Sequence, residues 1–161
     1  ESAFGSRKMS NGYFLNNELT DFSFSSEVNG NKVANRVQGG KRPRSSMTPT
    51  IVFDPITNKP KIIIGTAGGS RIIGYVTQRI IDMLYHEKSI MESISAAHFL
   101  SRGKEIEAER ETEITKELKS IGHKINFRSL PSGLNGIYIN HQKEQIIGAS
   151  DPRRIGTAKG E

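Results

Sequence analysis

The tightest constraint on the fold is a strand, a glycine turn and an amphipathic helix in immediate succession. Lys61–Thr66 is β-rich and apolar throughout at Ile62, Ile63 and Ile64, so it is expected to lie in a sheet covered on both faces. Gly68-Gly69 breaks that run. From Ser70 to about His86, Ile72, Val76, Ile80 and Leu84 then fall at i, i+4, i+8 and i+12, with Ile73 and Met83 widening the stripe. A chain that must turn this sharply from a buried strand into a helix packs its helices against a sheet.

The remaining segments agree. Met47–Phe53 pairs with Lys61–Thr66 across the turn-rich Asp54–Pro60, and Gly12–Leu15 reads as a short strand. Ser89–His98 and Glu111–Ile121 read as helices, the latter closed by Gly122. Strands follow at Lys124–Arg128, Gly136–Asn140 and Gln145–Ala149, and Glu105–Glu109 alternates like another. Ser23–Gly40 is polar and weakly periodic, a long loop of the kind that often serves as a lid. The pattern is α+β, and residues 1–161 are expected to form one domain with that lid at about 23–40.

Composition excludes several functions. There are no cysteines among the 161 residues, hence no disulfide or thiolate metal site, and no apolar run of membrane-spanning length. The four histidines show no ligand spacing; His86 and His98 lie near helix ends, where a cation suits the dipole. No metal or other cofactor is expected. A net charge of +6 raises a nucleic-acid reading, but no aromatics interleave with the basic cluster at 36–44 and no helix carries a basic stripe. The acid-rich Glu105–Glu117 reads as the exposed face of a strand and a helix.

Three segments carry candidate chemistry. Glu18 and Asp21, three apart just after a strand, can aim both carboxylates at one point, such as an ammonium group; they also suit a solvated turn. Ser45-Ser46 follows Lys41-Arg42-Pro43-Arg44, offering hydroxyls flanked by cations to a carboxylate, or an ordinary polar turn before a strand. Gly68-Gly69 can present backbone N–H groups to an oxyanion, or form a tight turn with Ser70 as the helix cap. No GxSxG, GxGxxG or P-loop pattern accompanies them.

In this order and spacing the three segments resemble the small subunit of γ-glutamyltransferase (glutathione hydrolase). Phe4-Gly5-Ser6, Thr48-Pro49-Thr50, the helix at Arg71 and Ala149-Ser150-Asp151-Pro152-Arg153 extend the likeness over nearly the whole chain. The resemblance implies an N-terminal-nucleophile hydrolase αββα sandwich, incomplete without the large subunit of the same precursor. It implies an upstream threonine, roughly twenty residues before Glu1, that becomes the nucleophile with its own amine as base. By itself this stretch would then be inactive.

The resemblance further implies that Glu18 and Asp21 hold the substrate's α-ammonium and that Glu1, where the family places Asn or Glu, also touches the glutamyl moiety. Ser45 and Ser46 would hold its α-carboxylate, and Gly68 and Gly69 would form the oxyanion hole. Expected partners are glutathione and other γ-glutamyl compounds, amino acid or peptide acceptors, and the large subunit. The expected location is periplasmic or secreted. The loop at 23–40 contains no tyrosine, the residue of the aromatic gate that covers the site in some members of that family, and an open site would admit larger γ-glutamyl acceptors or donors. A glutaryl (cephalosporin) acylase on the same scaffold, or a non-catalytic binding module, are the alternatives.

Overall fold

The computed structural model describes residues 6–103 and 105–160, which group into two compact units, Glu1–Ser45 and Ser46–Glu161.

The first unit is built from two small antiparallel hairpins. β1 (Met9–Ser10) pairs with β2 (Tyr13–Phe14), and β3 (Glu27–Val28) with β4 (Asn31–Lys32). Each turns on an Asn-Gly pair with both φ angles positive: Asn11 (50°) with Gly12 (86°), and Asn29 (51°) with Gly30 (75°). That combination matches the twist of the flanking strands. Between the hairpins, Glu18–Asp21 winds into one turn of 3-10 helix. The expected lid loop therefore contains a hairpin. Its base is closed by a parallel bridge between Ser23 and Arg36 and by the Ser23 N–H donating to the Asn35 carbonyl at 2.9 Å.

The second unit centres on a four-stranded antiparallel sheet ordered β11-β10-β6-β5. Its strands are β5 (Thr50–Phe53), β6 (Pro60–Gly65), β10 (Asn135–Asn140) and β11 (Gln145–Ser150). In β6, Ile62 and Ile64 are buried whereas Ile63 between them is only half-buried. Within this chain the strand is thus covered on one face, not both as the unbroken isoleucine run suggested. The buried face meets α1 (Ile72–Tyr85) and α2 (Ile90–Ser95), and a core of Ile62, Ile64, Ile72, Val76, Met83, Ile90, Ile94, Leu134 and Ala149 fills the space between.

The stripe on α1 is rotated from the one expected. Ile72, Tyr75, Val76, Arg79 and Met83 face inward, while Ile73 and Leu84 are exposed. Arg79 tolerates that position because its guanidinium donates to the Ala96 carbonyl at 3.1 Å and faces Asp82 at 3.4 Å. Helix α2 starts at a reciprocal cap, with the Glu92 N–H donating to Ser89 Oγ and the Ser89 N–H to Glu92 Oε2.

A second sheet, β7-β8-β9, joins β7 (Phe99–Ser101) antiparallel and β9 (Ile125–Phe127) parallel to β8 (Ile106–Ala108). The parallel pair is connected through α3 (Glu113–Ser120), the crossover a parallel pairing demands. β7 is absent from the sequence expectation. Glu107 and Glu109 are also not the solvated face they resembled. Glu107 takes a two-pronged hydrogen bond from Arg71 at 2.7 and 3.0 Å, and Glu109 one from Arg153 at 2.7 Å on each oxygen.

Candidate functional site

Gly68 and Gly69 form the corner between β6 and α1. Gly68 sits at φ 144° and Gly69 at 58°, both in the region that side chains oppose. At Gly68 space matters as well: a Cβ there would lie 2.8 Å from Cε2 of Tyr75. Gly69 through Arg71 make one 3-10 turn before the helix, so Ser70 lies inside the turn and does not cap α1. Neither the Gly68 nor the Gly69 N–H finds an acceptor among the described residues. Two adjacent amides are thus left to face a ligand.

The corner is braced from beneath by a buried polar cluster. The ring of Tyr75 stacks on His98 at 4.0 Å between centroids. His98 Nε2 lies 2.8 Å from Ser132 Oγ, and that hydroxyl donates to Asp151 Oδ2. Asp151 also accepts from the Leu134 N–H at 3.0 Å and pairs with Arg153 at 3.0 Å. Because the Ser132 proton goes to Asp151, the proton shared with His98 belongs to Nε2, leaving Nδ1 as a bare lone pair without a partner among the described residues. Burial, with the cations of Arg153 and Arg79 nearby, pushes the His98 pKa down to about 3. His98 is therefore a neutral core residue, not the helix-end cation its sequence position suggested.

His98, Ser132 and Asp151 have the composition of a hydrolytic triad but not its order. Serine lies between the other two, so the imidazole cannot relay a proton from serine to a carboxylate-bound nitrogen. All three are fully buried, so no substrate reaches them. Their role is support. None was singled out from sequence as a site residue, since no spacing marks a cluster assembled from four distant segments.

In the first unit, Glu18 and Asp21 occupy the ends of the 3-10 turn, where positions three apart eclipse, so both carboxylates project from one face. Asn35 secures this turn. Its side-chain amide donates to the Asp21 carbonyl at 2.7 Å while its Oδ1 accepts from the Arg44 N–H at 2.9 Å. The acid turn is thereby tied to the segment that leads into Ser45. Ser45 is exposed and Ser46 half-buried, both in irregular backbone. Ser46, Gly68 and Gly69 belong to the second unit. Glu1 lies outside the described residues. Among the described residues no cluster of three or more potential metal ligands occurs, and no helix is long and apolar enough to cross a membrane.

The fold matches solved structures closely. A mutant form of gamma-glutamyltranspeptidase from Helicobacter pylori aligns with a TM-score of 0.79 at 30% identity, covering 95% of this chain and 89% of that one. These elements are of α+β class and have the fold of the αββα sandwich of N-terminal-nucleophile hydrolases. The family model described as Gamma-glutamyltranspeptidase matches residues 1–161. Among relatives, the glutathione hydrolase proenzyme of Bacillus subtilis is 33% identical over 92% of this chain and 25% of its own length. The glutathione hydrolase 5 proenzyme of Rattus norvegicus is 34% identical over 92% of this chain and 26% of its own. The chain belongs to the gamma-glutamyltranspeptidase family, and it spans about a quarter of the length of the curated relatives it matches.

Proposed function

We propose that this chain is the small-subunit portion of an enzyme that transfers γ-glutamyl groups from glutathione and related amides to water or to amino acid or peptide acceptors. The observation that carries the proposal is the Gly68–Gly69 corner, with two N–H groups that find no acceptor among the described residues, held at backbone angles open to glycine. Family membership supplies the reaction class.

In this reading a threonine hydroxyl upstream of Glu1 attacks the γ-carbonyl carbon while its own amine takes the proton. The carbonyl oxygen becomes an oxyanion between the N–H groups of Gly68 and Gly69, each donor supplying about 3 kcal/mol. Collapse expels the leaving amine with the transferred proton, and water or an acceptor amine then repeats the sequence on the ester. Glu18 and Asp21 hold the glutamyl ammonium, Glu1 also touches the glutamyl moiety, and Ser45 and Ser46 hold the α-carboxylate, with an arginine of the large subunit. The two-unit grouping leaves the expected single domain and its lid as part of this proposal.

The uncovered face of the main sheet suits the large subunit. Ile51, Ile137 and Ile146 are exposed there, and a concavity lined by Ile63, Ile137, Ile146 and the 157–160 tail lies on it. Gly68 and Gly69 do not line that concavity. Processing of a precursor, as the name proenzyme implies for the relatives, and a periplasmic or secreted location belong to the same proposal.

The complete protein is expected to hydrolyse a γ-glutamyl anilide and to leave a glutaryl anilide nearly untouched, because only the former has an ammonium for Glu18 and Asp21. Preference for glutaryl would assign a cephalosporin-type acylase. Turnover of neither, with no nucleophile at the processing position, would assign a binding module. Asp21→Ala should raise KM for γ-glutamyl substrates by about tenfold or more, since a charged hydrogen bond is lost, with a smaller change in kcat. Steady-state kinetics check this, and unchanged constants would remove Asp21 from the site.

A further inference from the structure

Gly68 combines a demanding orientation with an intrinsically soft backbone. Its N–H must point at the developing oxyanion, yet glycine offers little resistance to rotation about φ. The atom that settles its direction lies two residues earlier. Thr66 Oγ1 donates to the Ala67 carbonyl oxygen at 2.7 Å. Thr66 Oγ1 in turn accepts from the Gly133 N–H at 3.1 Å.

The Ala67 carbonyl and the Gly68 N–H are opposite ends of one planar trans group; no cis bond occurs among the described residues. Holding the oxygen therefore aims the N–H. We propose that Thr66 is a positioning residue for the oxyanion hole, its hydroxyl locking the Ala67–Gly68 peptide plane so that the Gly68 N–H is aimed before substrate arrives. This rests on the oxyanion-hole reading above.

The hydroxyl is itself held. The Gly133 N–H occupies one lone pair, leaving the proton to turn toward Ala67. Gly133 sits in a loop whose neighbours are fixed by buried bonds, with Ser132 Oγ donating to Asp151 and the Leu134 N–H donating to the same carboxylate at 3.0 Å. A continuous chain of bonds runs from Arg154, whose Nε donates to the Ser132 carbonyl at 2.7 Å, through the Ser132–Gly133 peptide and Thr66 to the Gly68 amide. Each bond polarises the next, and a hydrogen bond to the carbonyl end of a peptide strengthens its N–H as donor.

The test is kinetic. In the complete protein, Thr66→Val keeps the branched shape and deletes the hydroxyl. It is expected to lower kcat for γ-glutamyl anilide hydrolysis about five- to tenfold with KM within about twofold, the effect of one mis-aimed donor. Acylation and deacylation both pass through an oxyanion, so the loss appears whichever step limits the rate. Thr66→Ser should restore kcat. Should the valine variant fail to fold, Thr66→Ala carries the same expectation.

A purely structural threonine would lower the melting temperature without separating kcat from KM and without rescue by serine, and that result overturns the inference. A variant lacking the hydroxyl with wild-type kcat also overturns it while leaving the γ-glutamyl reading intact. A wild-type protein that turns over no γ-glutamyl substrate overturns that reading and the inference with it.

Discussion

Arg153→Ala is expected to destabilise the second unit by about 3 kcal/mol or more, the usual result of removing one partner from a buried charge cluster. The guanidinium grips Glu109 with two bonds of 2.7 Å, reaches Asp151 at 3.0 Å, and donates to the carbonyls of Ile94 and Ala96 at 3.2 and 2.8 Å. Those carbonyls lie at the C-terminal end of α2, where a cation also opposes the negative end of the helix. Deleting the side chain strands Asp151, which is 1% exposed, among groups that cannot replace the charge. Burial pushes both Asp151 and Glu109 up, and in the native protein bonds from Ser132, Leu134, His98 and Arg153 outweigh it and hold both below the usual range. Arg153→Lys restores the charge but not the fork, so it should recover only part of the loss. Urea unfolding of the complete protein measures this; an alanine variant within about 1 kcal/mol of wild type would show the cluster to be incidental.

The strand–turn–helix corner was legible because its information is local. Three isoleucines, two glycines and a periodic helix dictate it with little help from elsewhere, and Glu18 and Asp21 need only one turn to share a face. The Asn29-Gly30 hairpin was equally local, and its turn pair was the available signal inside a stretch taken for loop. Other features had no local signal. β7 is three residues long, too short for alternation to register. Arg79 interrupts an apolar stripe and is acceptable only because carbonyls at the end of α2 receive it. His98, Glu107 and Glu109 read as solvent-facing charges because their partners lie on remote segments.

The same division separates the glycine corner from what holds it. The glycines announce themselves; Thr66, Tyr75, Ser132 and Asp151 do not, since each acts through a contact that only the folded chain creates. Asn35 does for the acid turn what Thr66 does for the glycine corner, fixing backbone rather than touching substrate. Residue types fit for direct chemistry thus stand out in a linear reading, whereas those that orient backbone emerge from tertiary hydrogen bonds.

Acidification should destabilise the protein well before its carboxylates titrate, and His98 is the cause. The unfolded imidazole takes a proton near pH 6.5, but in the fold its pKa lies at about 3 because burial and the cations of Arg153 and Arg79 disfavour the charge. Below 6.5 the unfolded state binds the extra proton, so stability is complete above that pH and declines as pH falls toward 3. Over the first two units of acidification the loss should reach about 2–3 kcal/mol, before the low-pKa carboxylates of Glu107, Glu109 and Asp151 add theirs. His98→Gln can still bond Ser132 but cannot titrate, so its unfolding midpoint should be flat over that interval where the wild type slopes. Arg153→Ala removes one of the two cations and raises the folded pKa of His98, so its decline should begin at the same pH as in the wild type but level off at a higher one. Urea midpoints measured from pH 7 to 4.5 on the three proteins check these outcomes, and a wild-type midpoint that does not move would mean that His98 is solvated in the native state.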